Sequence, residues 1–420
     1  MAKKKVLKDG ELPDVMDMMK SVDPDVESLG ESSVSKIDEW IPTGNYLLNA
    51  CISGSLFKGF PSGKVTTLCG ASQSGKSFLA TSMAREAQAR GYNVLVIDTE
   101  GNYSAEFVKR IGCDPHNHFM IKQVNTVLEV NQLISSLCAQ EEKLQEEYGQ
   151  HHKFCIILDS LGNLASNKEI EDGAEGRNSA DMSKAKHIRS LFRCITVPLS
   201  RLQWPLIVVN QIYASLSMYS PGNTQSGGLG IAFNSSVTLE LFPSKLQDKS
   251  AEDATKKAVN SDDVVKSGVL VTCKPQKSRF CIPRKIRFAI SFHQKSNPYV
   301  GLEAYLNWEN SQICRGTMLT DKEWEKLGGD SKTVHTWEYN GQTLHCQEKE
   351  TARGIVVGHL GKTIGLTELW TDEVFTDEFL HKLDETVIRP AFELPEQSSF
   401  DVTCQEIENF VDVGDDIEEE

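Results

Sequence analysis

The chain has 420 residues, 39% of them hydrophobic and 25% charged, which gives room for one large core and one or two small additions. No run of about 18 apolar residues occurs, so no membrane-spanning helix is expected, and MAKKKVLKDG has no apolar stretch behind its lysines, so it is not expected to be a secretory signal. The net charge of −15 argues against a nucleic-acid partner until its distribution is read: ten acidic residues and no Lys or Arg lie between Glu396 and Glu420, so the body carries only −5 once they are set aside.

Residues 1–35 are polar with scattered Met and Val, and 14–22 (DVMDMMKSV) reads as a short helix in an arm suited to docking on a neighbouring subunit. From 36 to 300 the pattern is that of an α/β core. Val65–Cys69 is a buried strand, and Phe78–Arg90 is a helix stopped at Gly91. Further strands are Asn93–Asp98, His152–Leu158 ending at Asp159, Leu206–Val209 ending at Asn210–Gln211, Val237–Phe242 and Val269–Cys273. Continuous apolar strands separated by helices predict a mostly parallel sheet covered on both faces. Residues 166–179 and 212–228 read as long polar loops, a length that is usually functional inside a compact domain. The helix after the first loop puts Lys186, Arg189 and Arg193 on one face, which either tracks phosphates or is simply solvated. Residues 246–267 form a charged excursion, and the basic stretch from Val271 to Phe288 reads as an edge strand or hairpin. The periodic pattern is lost over 301–395, predicting a small C-terminal α+β domain with a helix from Asp377 stopped by Pro390. The tail, 396–420, reads as disordered.

Eleven cysteines include no C-x-x-C pair, and none stands at zinc spacing beside His116/His118 or His151/His152. Reduced thiols are expected, with Cys69, Cys155 and Cys194 in the core, as are solvated histidines and a cytoplasmic location.

The chemistry centres on Gly70-Ala71-Ser72-Gln73-Ser74-Gly75-Lys76-Ser77, which matches G-x-x-x-x-G-K-[ST] at every fixed position between a strand and a helix. Consecutive backbone N–H groups at such a loop make an anion cradle. Lys76 would reach the β and γ phosphates of a nucleotide and Ser77 would hold Mg²⁺. Ligands bind at the carboxyl ends of strands in such sheets, where Gly70, Glu100, Asp159 and Gln211 all fall. Asp159 suits a second Mg²⁺-side acid, Glu100 the activation of water, and Gln211 sensing of the γ-phosphate. In the second loop Tyr213, Met218 and Tyr219 suit stacking on bases.

The succession GASQSGKS, VIDTE, ILDSLGNLAS and VVNQI with a glycine-rich loop resembles the RecA-type strand-exchange recombinases, the phage UvsX type most closely. The resemblance covers residues 36–305 and, more weakly, the remainder. It implies an ATPase that forms filaments on single-stranded DNA and pairs it with homologous duplex, aided by a mediator and a single-strand-binding protein. ATP would lie on Gly70–Ser77 and Phe78, with Phe107 stacking on adenine. DNA contacts would come from Arg177, Lys186, Arg189, Tyr213, Met218, Tyr219, Gly227 and Gly228. Lys277 and Arg279, in QKSR, would reach the ATP of a neighbouring subunit. Tyr219 stands where the RecA pattern has phenylalanine. A ring helicase on the same core, and a non-catalytic ATP-binding DNA scaffold, are the alternative readings.

Overall fold

The computed structural model describes residues 14–24, 26–30, 32, 34–175, 183–214, 223–225, 229–246, 268–291, 296–327 and 334–394. Helix α1 (Val15–Val22) is capped by Asp14, whose carboxylate accepts from the Met16 and Asp17 amides. It leaves Val15, Met18, Met19 and Val22 exposed. Strand β1 (Trp40–Ile41) pairs antiparallel with β2 (Phe60–Pro61), and between them α2 (Tyr46–Ser53) starts at the Asn45 cap and is buried along seven of its eight residues.

The main sheet is built from β3 (Val65–Gly70), β4 (Asn93–Asp98), β5 (Phe119–Gln123), β6 (Phe154–Asp159), β7 (Leu206–Ala214), β8 (Asn223–Gln225), β9 (Val237–Leu246), β10 (Gly268–Ser278) and β11 (Ile286–Ser291). Its order is β11-β10-β9-β3-β7-β6-β4-β5, with β8 attached to the outer part of β7. Strands β9, β3, β7, β6, β4 and β5 run parallel, and β10 and β11 close the edge as an antiparallel hairpin.

Each central strand is apolar throughout, yet its residues still alternate between faces. Val94 and Val96 pack with Leu79, Met83 and Ala87 of α3 (Lys76–Gln88). Leu95 and Ile97 pack on the other face with α5 (Val127–Tyr148) and α7 (Lys184–Arg201), through Val130, Ile134, Leu191 and Phe192. Helix α4 (Ala105–Ile111) packs beside α3. A Thr126–Glu129 capping box starts α5, and Gly149 in the left-handed region ends it.

Beyond residue 301, β12 (Ile313–Met318), β13 (Val334–Tyr339), β14 (Gln342–Glu348), β15 (Gly354–Val357) and β16 (Lys362–Gly365) form an antiparallel sheet of order β13-β14-β12-β15-β16. Ile313, Ile355, Val357 and Ile364 join the same apolar cluster as Leu47, Leu48 and Ile52 of α2. Buried Asp384 strengthens the junction by accepting from Ser55 Oγ (2.9 Å) and the Leu56 amide (2.6 Å).

Several expectations are corrected. The segment read as one polar loop, 166–179, holds α6 (Asn167–Ala174), because Ser166 and Glu169 cap each other's backbone amides. Helix 377 does not stop at Pro390. A π turn at Asp384–Ile388 leads into Arg389–Phe392, whose first turn tolerates the missing proline N–H. Cys194 is exposed on α7 rather than in the core, because residue 194 falls about 120° around the helix from the centre of the buried stripe of Ile188, Leu191, Phe192, Ile195 and Leu199, whereas Cys69 and Cys155 are fully buried. His152 is not merely solvated: its Nδ1 lies 2.9 Å from the Glu141 carboxylate. Edge strand β5 went unread because Met120 and Ile121 are exposed and break no pattern. The tail and the body of the 246–267 excursion lie outside the described residues.

Candidate active site

The register of the sheet brings four strand ends together. Gly70 pairs with Gln211, and Asp98 pairs with Asp159 on the next strands over. The loop after β3 passes through Gln73 (φ 61°) and Gly75 (φ 84°), which leads into α3. Gly70 is required by space as well: a Cβ there would lie 2.6 Å from Ser74 Oγ and 2.8 Å from the Leu241 carbonyl oxygen. Ala71, Ser72 and Gln73 are exposed at the rim, while Ser74 is buried beneath.

Lys76 is buried and donates to the carbonyls of Gly70 (3.0 Å) and Ala71 (2.6 Å), so its ammonium lies across the mouth of the loop. Burial pushes its pKa down, opposed by the charges of Asp159 and Glu100. Asp159 is buried at the end of β6 and is hydrogen-bonded by the Ser77 side chain and by Tyr103 Oη (3.2 Å). Its pKa is raised, chiefly by burial, with Glu100 and Asp98 adding to the rise and the two hydroxyls opposing it. The Asp159–Ser160 peptide is cis.

Glu100 is exposed at the tip of the turn after β4. Its Oε1 accepts from Ser160 Oγ (2.7 Å) and from Gln211 Nε2 (3.4 Å), and its Oε2 accepts from Asn102 Nδ2 (3.0 Å). Asp98, which the sequence reading used only as a strand end, holds that turn. Its Oδ1 accepts from the amides of Glu100 (3.0 Å) and Gly101 (2.9 Å), and its Oδ2 from the amide of Tyr103 (3.3 Å). Tyr103 also escaped the sequence reading, and only its place just after the acidic turn hints at it. Phe107 stands edge-on to both Phe78 (5.7 Å) and Tyr103 (5.6 Å), making an aromatic wall beside the phosphate loop.

Gln211 lies in β7, which continues to Ala214 and pairs with β8 through Ile212–Gln225, Tyr213–Thr224 and Ala214–Asn223. The described part of 212–228 is therefore a strand pair rooted at Gln211, not an aperiodic loop. Met218, Tyr219, Gly227, Gly228 and Arg177 lie outside the described residues. Lys186 and Arg189 are exposed on α7 with Arg193, and the backbone of Arg189 abuts Gly230 of α8 (Leu229–Asn234).

Lys277 and Arg279 do not join this cluster. Ser278 pairs with Val237, which pairs with Thr66, four residues before Gly70. That separation is about 13 Å along the strands and about 10 Å across two of them. Lys277 Nζ donates to the carbonyls of Ala232 (2.8 Å) and Phe233 (3.1 Å) at the end of α8. Arg279 is exposed.

The chain is similar to proteins of known family. Residues 20–279 match the RecA N-terminal domain family. A 260-residue stretch is 28% identical to the recombination and repair protein of Enterobacteria phage T4, covering 61% of this chain and 60% of that protein. The match to protein RecA of Wolinella succinogenes is 25% identical over 82% of this chain and 89% of the relative. That to protein RecA of Thermus aquaticus is 25% identical over 72% and 79%.

Proposed function

The chain belongs to the RecA family, and from that premise we propose that it is a DNA-dependent ATPase that assembles into filaments on single-stranded DNA and exchanges strands with a homologous duplex. The observation that carries this reading is the Glu100–Gln211 contact, which joins the water-activating carboxylate to the root of the β7–β8 arm. A change in either is felt by the other, as coupling of ATP hydrolysis to DNA contact requires.

The donor set fits ATP with Mg²⁺. The Gly70–Ser77 loop, the α3 N-terminus and the Lys76 ammonium suit a triphosphate, and the hydroxyl of Ser77 with the carboxylate of Asp159 are hard oxygen donors. When bound, Mg²⁺ would neutralise phosphate charge during transfer. Phe107 and Phe78 offer an apolar face for adenine. Glu100 takes a proton from the attacking water, and Asp98 keeps it in place.

Because Lys277 and Arg279 stand far from their own chain's phosphate loop, they serve the site of a neighbour, and each site is completed across a subunit interface. Lys186, Arg189 and the 212–228 arm face the DNA, with Arg177 from the segment before α7. The ATPase core is 36–300, with 301–395 a C-terminal addition. Loading onto DNA uses a mediator and a single-strand-binding protein in a host-cell cytoplasm. Among the described residues no helix is long and apolar enough to cross a membrane.

The test mixes two inactive variants, Lys76→Ala and the double variant Lys277→Ala with Arg279→Ala. A site shared between subunits restores about a quarter of wild-type DNA-stimulated turnover in a random equimolar filament, since one junction in four pairs a sound phosphate loop with sound cations. No recovery above the separate variants refutes the shared site. Closed rings rather than helical filaments in electron micrographs would favour the helicase.

A further inference from the structure

Away from the nucleotide site, the C-terminal sheet gathers four metal-ligating side chains on one face. Cys346 and Glu348 are two residues apart on β14 and therefore share a face. His335 on β13 pairs directly with Cys346. Gly316 on β12 pairs with Glu348, and Cys314 lies two residues before it on the same side. Donor atoms of Cys314, His335 and Glu348 all lie within 4.8 Å of one another. His335 Nε2 is 2.9 Å from Glu348 Oε2, and the two sulfurs are 3.9 Å apart. The edge of a tetrahedron around zinc with sulfur and nitrogen ligands is about 3.6 Å, so Cys314, His335 and Glu348 need to draw together only modestly to share a centre, and the Cys346 sulfur, 3.9 Å from that of Cys314, adjoins them as a fourth donor.

The surroundings hold the group in position. Trp308 stacks on His335 (centroids 4.7 Å, 17°) and packs edge-on to Trp337, whose indole N–H donates to the Gly358 carbonyl. Gly316 lets the β14 backbone pack closely on β12 beside Glu348, because a Cβ there would lie 2.6 Å from the Gln347 carbonyl oxygen. Cys314 and Cys346 are buried, while Glu348 is half exposed and lines, with Cys314, Arg315 and Glu350, a cleft of about 660 Å³ that leads in from solvent.

We propose that Cys314, His335, Cys346 and Glu348 form a binding site for a thiophilic divalent cation, zinc by its chemistry, that ties β12, β13 and β14 together. Two sulfurs, one imidazole and one carboxylate are a donor set that matches zinc and not Mg²⁺ or Ca²⁺, which take oxygen ligands. Four protein ligands leave no open position, so the site is structural. On binding, the two thiols release their protons to solvent, the Nε2 proton that His335 shares with Glu348 passes by way of solvent to Nδ1 so that Nε2 can ligate as a neutral imidazole, and three anionic ligands against a double positive charge leave one negative charge on the site.

The test uses the full chain, reduced, stripped with a chelator and titrated with zinc alone or with cobalt(II) alone. About one zinc per chain is expected to survive dialysis, and cobalt is expected to give the thiolate-to-metal charge-transfer band of a tetrahedral sulfur site. The Ser77–Asp159 site has no sulfur and cannot produce that band. Cys314→Ser and Cys346→Ser should each lower it to about half or less, the double variant should lose it, and Cys194→Ser should keep it in full. Glu348→Gln, at an exposed position that does not threaten folding, should weaken zinc binding at least about tenfold. The proposal is overturned if the reduced wild-type chain shows no such band, or if the band is undiminished in both cysteine variants. It is also overturned if Glu348→Gln binds zinc like wild type, or if Cys314 and Cys346 are found as a disulfide whose reduced form takes up no metal.

Discussion

Replacing Asp98 with alanine tests how the turn that carries Glu100, the proposed water-activating carboxylate, is held. The Asp98 carboxylate accepts from three backbone amides, those of Glu100, Gly101 and Tyr103. A hydrogen bond to a charged group contributes about 1.5–3 kcal/mol, and water recovers part of this at the exposed amides of Glu100 and Gly101. The turn therefore loses roughly 2–4 kcal/mol of local order, enough to release Glu100 from Ser160 and Gln211 for much of the time. A displacement of about 1 Å in a catalytic group lowers turnover by about a hundredfold. Lys76, Ser77 and the phosphate loop are untouched, so nucleotide binding is preserved. Steady-state ATPase assays with saturating single-stranded DNA should show kcat down by about a hundredfold and KM changed by less than about threefold. If kcat instead stays within about threefold of wild type, or KM alone rises, Asp98 does not position Glu100 and the reasoning fails.

Asp159→Asn should raise thermal stability while abolishing turnover. A folded-state pKa above the unfolded one means that the folded chain holds the proton more tightly, so wild-type stability falls as pH rises through that window. The gain in melting temperature should thus be largest at neutral pH and vanish on acidification. Equal curves at both ends would contradict it. Gly70→Ala forces a Cβ against the Leu241 carbonyl and Ser74, and the strain of about 1–3 kcal/mol should appear as weaker binding of a fluorescent ATP analogue. Unaltered affinity would show that the loop adapts. Asp384→Ala leaves Ser55 Oγ, the Leu56 amide and Arg389 without their acceptor. Urea unfolding should show a loss of about 2–4 kcal/mol, and a loss below about 0.5 kcal/mol would mean that this buried junction is dispensable.

What could be read from the residues alone is what neighbours in the chain decide. The phosphate loop is eight consecutive residues whose backbone amides make the cradle, so GASQSGKS specifies it wherever a strand precedes and a helix follows. Asp159 and Glu100 were legible because each follows a buried apolar run, and in a parallel sheet such runs end on one edge. The same logic could not separate Asp98 from Asp159. Both close apolar strands and lie side by side, yet one turns to its own backbone and the other to Ser77. Local pattern also misjudged 166–179, where a capping pair outweighed the polar composition.

Strand pairing between distant segments decided the rest. QKSR is visibly basic, but only the antiparallel register of β10 on β9 carries Lys277 and Arg279 to the far end of the sheet from their own phosphate loop. Cys314, His335, Cys346 and Glu348 have no spacing that announces a site. They converge because side chains alternate along a strand, and the β12–β14–β13 pairing puts all four on the same face. A shift of one residue in any of those pairings would scatter them, since register is set by the whole sheet's burial and not by the residues it brings together.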